Sequence, residues 1–185
     1  MTVEIRIGTR LEGDLLVAAG RAVRMAAAAS RRPATDSMAL EKQAAIAAIM
    51  LALAAVEAFT NFEWEDRDSA WLAAHKRKSL DFKWAALMKS VTGTSPPSGG
   101  GLRNRLRSAT GDRNLVAHYR GVPMRKLGVV RSGPPARSRR GNISQVRAYF
   151  TAARAERDVR TAWDAITEYY KAASQPLPGW LRDPL

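Results

Sequence analysis

An all-α fold, a bundle of five or six helices, is predicted by three features of the 185-residue sequence. Long Ala- and Leu-rich stretches, typical of helices, occupy its first half. Apolar residues recur at three- and four-residue steps between residues 146 and 170, as on the buried face of a helix. Gly, Pro and N-cap residues separate these stretches. With 46% hydrophobic and 25% charged residues, the chain has a globular composition and can bury the core of one domain.

The amino-terminal part is expected to hold a short extended arm and two helices. Residues 3–7 alternate apolar with polar side chains and predict the arm. Residues 14–30 predict the first helix, and Thr-Asp-Ser at 35–37 offers N-cap oxygens to a long second helix that ends near Asn61. Residues 44–56 are apolar on every face, which is typical of a helix surrounded by others.

The middle of the chain predicts two shorter helices. We expect one over residues 66–76 and the next over residues 79–91. Gly93 is placed to end the latter, since glycine adopts the left-handed conformation that closes a helix. The Gly-, Pro- and Ser-rich stretch at 94–101 then predicts a loop.

A weak helical face follows this loop, starting at Leu102. We expect Gly111 and Asp112 to interrupt it, because glycine is a poor helix former and aspartate is a good N-cap. On this interpretation a new helix begins at Arg113.

The last third of the chain predicts a basic excursion, a long helix and a tail. Residues 121–142 combine Gly, Pro and Arg and are expected to leave the core as a loop or small hairpin. Ser144 can cap the last helix, which ends near Ala173, and residues 176–185 form a Pro-rich tail. Residues 1–175 are therefore expected to form a single domain.

The residue types that are missing or rare exclude several classes of site. There is no cysteine, which excludes disulfide scaffolds, thiol nucleophiles and iron–sulfur clusters, and 2 His cannot form a multi-histidine metal site. A close set of acids is expected to stabilise a helix start on the surface rather than to bind a cation. These acids are Glu63, Glu65, Asp66 and Asp68. We expect no metal and no cofactor.

The chain shows no pattern of a targeting or membrane-spanning segment. Its longest near-apolar run, residues 44–56, has 13 residues, whereas a membrane span needs about 20. Its start alternates apolar with polar residues and carries a glutamate, unlike a signal peptide. We expect a soluble, cytoplasmic protein without a membrane partner.

Positive charge is concentrated in one segment. The formal net charge is +13. Residues 99–147 contain 11 Arg and 1 Lys against the single acid Asp112, so this segment carries 12 − 1 = +11 of that charge. A basic surface of this kind favours a polyanionic partner, with nucleic acid as the first candidate and a merely solvated arginine-rich loop as the alternative.

One short motif within the basic segment combines groups suited to a phosphodiester. Asn114 and His118 are four residues apart and share a helix face, and the long Arg113 side chain can reach the same side. Imidazole exchanges protons near neutral pH, and guanidinium can hold two phosphate oxygens. Glu57, a lone carboxylate after the apolar stretch, is expected to be paired or functional, and Arg113 is its obvious partner.

The sequence Arg113-Asn-Leu-Val-Ala-His118 resembles the Arg-x4–6-His signature of HEPN domains. HEPN domains are all-α bundles that carry this signature on a late helix, and residues 54–61 are similar to their Ala-rich, Glu-containing earlier helix. The resemblance implies a metal-independent endoribonuclease that makes 2′,3′-cyclic phosphate ends and acts as a toxin or defence effector. It also implies a homodimer controlled by an antitoxin or other regulatory protein.

The resemblance implies a role for each motif residue. His118 would act as general base or general acid, Arg113 would stabilise the phosphate, and Asn114 would position it. Further residues are expected to hold RNA through salt-sensitive backbone contacts. These are Arg103, Arg105, Arg107, Arg137, Arg139 and Arg140, whereas Tyr119 and Arg120 would extend the site toward a base or a second phosphate.

Two other hypotheses are kept. The same bundle could be a catalytically inactive HEPN-like dimer that binds RNA or a partner protein. Alternatively, a basic helical protein could bind duplex DNA nonspecifically, with Arg113 and His118 incidental.

Overall fold

The computed structural model describes residues 11–31, 35–99, 101–117 and 149–181, and all regular structure within these ranges is helical. The predicted all-α bundle is confirmed. Its five helices are α1 (Leu11–Ser30), α2 (Thr35–Ala74), α3 (Leu80–Thr92), α4 (Gly101–Ala117) and α5 (Ala152–Ala172), followed by a 3-10 turn (Gly179–Leu181). The predicted arm at 3–7 and the basic excursion at 121–142 lie outside the described residues.

Helix α2 is the centre of the bundle and contacts the other four helices. Its apolar stretch supplies much of the core, where Ala45, Ala48, Ala52 and Ala55 are fully buried beside larger residues such as Leu53. Small side chains let neighbouring helices approach closely, and α1 lies along α2 over much of its length. The prediction that residues 44–56 are surrounded by other helices is confirmed.

By length and composition, residues 37–74 of α2 could also cross a membrane. Half of the apolar window that meets this test is buried inside the bundle, and the core helix of a soluble protein meets the same test. The apolar character of α2 is therefore accounted for by its central place in the fold.

The predicted boundary between the second and third helices is wrong, because α2 continues past Asn61 to a kink at Asp68. Asp68 has non-helical backbone angles (φ −160°, ψ 85°), and its Oδ1 accepts a hydrogen bond from the Trp71 amide at 2.8 Å. The segment between Asn61 and Asp68 contains no Gly or Pro. Its Trp64 is buried, and Trp64 Nε1 donates a hydrogen bond to the Lys83 carbonyl. Packing against α3 therefore keeps this segment helical up to the new cap.

Helix α3 ends as the sequence predicts. Gly93 adopts the left-handed conformation (φ 77°), and its amide donates to the Lys89 carbonyl at 2.9 Å. Ser79 occupies the N-cap position with extended backbone, although its side chain makes no capping hydrogen bond.

Helix α4 is continuous, so the predicted break at Gly111 and Asp112 is wrong. A glycine inside a helix costs about 1 kcal/mol, and buried contacts on both sides offset this cost. Leu106 and Ala109 are fully buried before it, and Leu115 packs against the core after it. Arg113 is thus well inside a helix, and the helix N-terminus expected beside it does not exist.

Helix α5 begins at Ala152, later than predicted. Thr151 has extended backbone and its side chain accepts a hydrogen bond from the Arg154 amide at 3.3 Å, so Thr151 is the N-cap. The prediction of one uninterrupted helix from Ser144 is therefore wrong, although Ser144 itself lies outside the described residues. Of the apolar positions predicted for this helix, Ile166 and Tyr170 are buried, whereas Ala153 is exposed.

The start of the predicted tail packs against the bundle. Leu181 is fully buried, and its carbonyl accepts a hydrogen bond from Trp163 Nε1 at 2.8 Å. The Trp180 ring lies so close to Gly13 on α1 that a Cβ built there would be 3.0 Å from it. The turn at 179–181 therefore belongs to the folded domain.

Candidate functional site

An ion pair joins the predicted motif to the central helix. Arg113 Nη1, on α4, donates to Glu57 Oε2, on α2, at 2.6 Å. The side chains are 24% and 39% exposed, so the pair lies at the edge of the α2–α4 contact and reaches solvent. The predicted partnership of Glu57 and Arg113 is confirmed.

The other motif residues divide between the described and undescribed parts of the chain. Asn114 is exposed one position after Arg113. His118, Tyr119 and Arg120 lie outside the described residues. The structure thus brings together Arg113 and Glu57, and the predicted stacking of Asn114 and His118 stays a prediction.

Asp112 is the centre of a buried hydrogen-bond network that the sequence did not predict. It is only 3% exposed and accepts from Arg154 Nε and Nη2 at 2.6 and 2.7 Å. Arg157 Nη2 and the Tyr149 hydroxyl add hydrogen bonds of 3.0 and 2.7 Å. Asp112 therefore links α4 to the start of α5 instead of capping a helix. Asp112 is the only acid in residues 99–147, and this feature of the sequence could have indicated that it is paired.

The network keeps Asp112 ionised. Burial by itself raises the pKa of this carboxyl, but the hydrogen bonds from Arg154 and Tyr149 outweigh burial and hold the pKa below its usual value. Burial, together with the hydrogen bond to Asp112, raises the pKa of Tyr149 to about 12. The tyrosine therefore stays protonated and remains a donor.

Asp158 is a second buried carboxyl beside this network. Its Oδ1 accepts from Arg157 Nε and Nη2 at 3.0 and 2.8 Å, whereas its buried Oδ2 has no hydrogen-bond partner within the described residues. Burial raises the pKa of Asp158 to about 7, against the lowering effect of Arg157, and the charge of Asp112 adds to the rise. Asp158 therefore changes its protonation near neutral pH.

The three arginines at the start of α4 are paired with acids. Arg103 and Arg107 share a face, as predicted, and both approach Asp81 Oδ2, with Arg103 Nε at 3.8 Å and Arg107 Nη2 at 3.1 Å. Arg105 Nη2 lies 2.9 Å from Asp164. Arg105 and Arg107 are about half exposed and keep a solvent-facing surface. The remaining predicted RNA contacts, Arg137, Arg139 and Arg140, lie outside the described residues.

The four acids near residue 65 have separate roles. Glu63 is buried and accepts a hydrogen bond from the Tyr169 hydroxyl, and Asp68 caps the segment after the kink. Glu65 and Asp66 are exposed. In the described part of the chain, no three carboxylate or imidazole side chains converge on a point where a metal could bind.

The chain matches no family model, no curated protein and no solved structure. The HEPN resemblance therefore rests on the motif residues, and membership of that family stays a prediction. What the geometry offers chemically is a partly exposed guanidinium, fixed by a carboxylate, on the helix that leads to His118.

Proposed function

We propose that this protein is a metal-independent endoribonuclease of the HEPN type. It would cleave RNA by attack of the 2′-hydroxyl on the adjacent phosphate and leave 2′,3′-cyclic phosphate ends. The observation that carries the proposal is the contact between Arg113 and Glu57, at 2.6 Å. Arg113 of the motif and Glu57, the lone acid after the apolar stretch, are in direct contact.

The ion pair suits a guanidinium that binds phosphate. A guanidinium has five N–H donors in a planar fork, so one hydrogen bond to Glu57 leaves donors for phosphate oxygens. Glu57 fixes the orientation of Arg113 before substrate arrives, which lowers the cost of ordering a long side chain. Because the pair is partly exposed, RNA can reach it from solvent.

The residues around Arg113 would share the remaining work. His118 would remove the proton from the 2′-hydroxyl or give one to the leaving 5′-oxygen. Asn114, exposed beside Arg113, would orient the phosphate. In a homodimer, a second His118 would supply the other proton transfer, and an antitoxin or regulatory protein would restrain the enzyme in the cytoplasm.

The test uses purified protein and a mixed-sequence RNA in excess EDTA, with identification of the product ends. Wild type is expected to yield cyclic-phosphate ends, whereas His118→Ala and Arg113→Met yield none. His75→Gln is the matched control, since His75 is the only other histidine and stacks on Trp71 far along α2. Circular dichroism establishes that each variant is folded.

Two results would contradict the proposal. Cleavage by His118→Ala at the wild-type rate would show that the motif is not the active site. Tight RNA binding without cleavage by the wild type would instead favour a catalytically inactive binding module, and a strong preference for duplex DNA would favour the nonspecific basic protein.

A further inference from the structure

A cluster of two arginines and two acids joins the start of α5 to α4. Arg154 and Arg157 are three positions apart on α5, so they share one face of that helix. Both guanidinium groups reach the same carboxylate, since Arg154 Nη2 donates to Asp112 Oδ1 at 2.7 Å and Arg157 Nη2 donates to Asp112 Oδ2 at 3.0 Å. One buried acid of α4 thus holds two guanidinium groups of α5 side by side.

Each of these guanidinium groups is held by further contacts. Arg154 also donates from Nε to Asp112 at 2.6 Å and lies over the Tyr149 ring, with Cζ 3.5 Å from the ring centroid. Arg157 also donates from Nε and Nη2 to Asp158, at 3.0 and 2.8 Å. Because both side chains are ordered before a ligand arrives, less conformational entropy is lost when one binds.

Hydrogen-bond donors remain on both arginines after these contacts. A guanidinium carries five N–H groups, and every hydrogen bond of this cluster uses the Nε or Nη2 atoms. Nη1 of Arg154 and Nη1 of Arg157 have no hydrogen-bond partner among the described residues. The two side chains are 22% and 49% exposed, so both reach solvent. A fixed guanidinium with unused donors at the surface can bind phosphate oxygens.

The acids of the cluster do not cancel its positive charge. Asp112 is ionised, because its hydrogen bonds hold its pKa below the usual value, and it offsets one guanidinium. Burial raises the pKa of Asp158 to about 7, so this carboxyl is neutral in mildly acid solution and only partly ionised at neutral pH. Two arginines against one fully ionised carboxylate leave a net positive charge.

The cluster also lies where the most basic part of the chain joins the bundle. Residues 118–148 connect α4 to Tyr149 and contain 7 Arg and 1 Lys but no acid. The last described residue before them, Ala117, is five positions after Asp112. The first described residue after them, Tyr149, donates to Asp112 Oδ1 at 2.7 Å. A polyanion attracted by this charge is therefore brought to the cluster, which favours a nucleic acid over a small anion.

We infer that Arg154 and Arg157 form a second phosphate-binding site, which holds the backbone of single-stranded RNA near Arg113. Their Nη1 groups donate to the phosphate oxygens, and Asp112 is a positioning residue that keeps both guanidinium groups in place. The inference rests on the proposed function, in which RNA is the substrate and Arg113 binds the phosphate that is cleaved. Asp112 and Arg113 are neighbours on α4, so one RNA strand can reach both sites. Neither Arg154 nor Arg157 belongs to the basic segment at 99–147.

The experiment measures binding of a mixed-sequence, single-stranded 2′-O-methyl oligoribonucleotide, which lacks the attacking hydroxyl and therefore stays intact. Fluorescence anisotropy follows binding over a range of salt concentrations in mildly acid solution, where Asp158 is neutral. Arg157→Met is expected to weaken binding about tenfold, as for one lost hydrogen bond from a charged group. It is also expected to lower the slope of log affinity against log salt by about 0.7, as for one phosphate of a single strand.

Arg160→Met is the matched control. Arg160 is 60% exposed, lies about one turn further along α5 and pairs with the exposed Glu156 at 3.2 Å. Its replacement removes the same charge from the same helix but leaves the cluster intact. Its affinity should stay within about twofold of wild type, since salt screens exposed charges that do not contact the ligand. Circular dichroism establishes that both variants are folded.

A measurement on the wild type tests the site even where Arg157→Met does not fold. Phenylglyoxal modifies accessible guanidinium groups, and mass spectrometry of the peptides locates the modified arginines. RNA is expected to protect Arg157 and to leave Arg160 reactive. Equal protection of both arginines, equal protection of Arg157 by inorganic phosphate, or unchanged affinity in a folded Arg157→Met would each overturn the inference.

The two proposals fail in different ways. A wild type that cleaves RNA, together with an Arg157→Met variant that binds the oligonucleotide equally well, leaves the ribonuclease standing and removes the second phosphate-binding site. A wild type that binds the oligonucleotide through Arg157 but cleaves no RNA keeps this site and removes the ribonuclease.

Discussion

Replacing Asp112 by asparagine should destabilise the protein strongly, although the side chain keeps its shape. Asp112 is almost fully buried and accepts four hydrogen bonds, two of them from Arg154. Asparagine removes the charge and turns an N–H₂ group toward the guanidinium donors. Breaking a buried ion pair costs about 3–5 kcal/mol. Since Arg154 and Arg157 are 22% and 49% exposed and can regain water, we expect the lower end, about 3 kcal/mol.

Urea unfolding followed by circular dichroism measures this change, with the slope of the transition as a check that both proteins unfold in the same way. Asp164→Asn is the matched control. Its ion pair with Arg105 is 29% and 53% exposed, so its loss should cost less than about 1 kcal/mol. Equal free energies of unfolding for the two variants would refute the view that Asp112 joins α4 to α5.

The Asp112 network also predicts a dependence on pH with a definite sign. The pKa of Asp112 is lower in the folded protein than its ordinary value of 3.8. Its stabilisation is therefore complete above that value and disappears as the pH falls through the folded pKa. The difference between wild type and Asp112→Asn should therefore shrink in strong acid, where the Asp112 carboxylate becomes protonated.

Four further predictions test other parts of the fold. Because burial raises the pKa of Asp158 from 3.8 to about 7, the folded protein holds this proton longer than the unfolded chain. Its contribution to stability should fall as the pH rises through that interval, by at most about 1.4 kcal/mol per unit. In thermal melts, Asp158→Asn should therefore gain stability relative to wild type as the pH rises from about 4 to about 7, and an unchanged difference would contradict the burial argument. Gly93→Ala should cost about 1–2 kcal/mol because φ is positive there. Gly111→Ala should raise the free energy of unfolding by up to about 1 kcal/mol, because Gly111 is helical and a Cβ added there would meet nothing within 4 Å. A lower free energy of unfolding would instead favour the helix break predicted from sequence. Thr167→Val should raise the unfolding free energy by about 1 kcal/mol by removing an unpaired hydroxyl, whereas Thr161→Val, which removes a hydroxyl bonded to the Arg157 carbonyl, should lower it by a similar amount. The melting temperatures of the two glycine variants and the two threonine variants show whether each change raises or lowers stability.

Local sequence patterns predicted the features that depend on neighbours along the chain. The apolar run at 44–56 identified the central helix, and Gly93 identified the end of α3. The partnership of Glu57 and Arg113 could also be predicted, because a lone acid beside an apolar run needs a cation.

Features that depend on distant residues could not be predicted. A glycine followed by an aspartate is typical of a helix boundary, and only the approach of Arg154, 42 residues later, makes Asp112 an interior residue. The start of α5 after Thr151 could not be predicted either, because apolar residues continue at helical spacing on both sides of Thr151. The unpaired hydroxyl of Thr167 left no sequence signal, because a helical threonine usually satisfies its own hydroxyl locally.

Two neighbouring residues of α4 fix its rotation about its own axis. Asp112 is tied to α5 through Arg154, while Arg113, one position and about 100° further around the helix, is tied to Glu57 on α2. Turning α4 either way lengthens one of these ties, so the two act together as a torsional restraint. These two ion pairs act together with the buried side chains of Leu106 and Ala109 to set the orientation of α4.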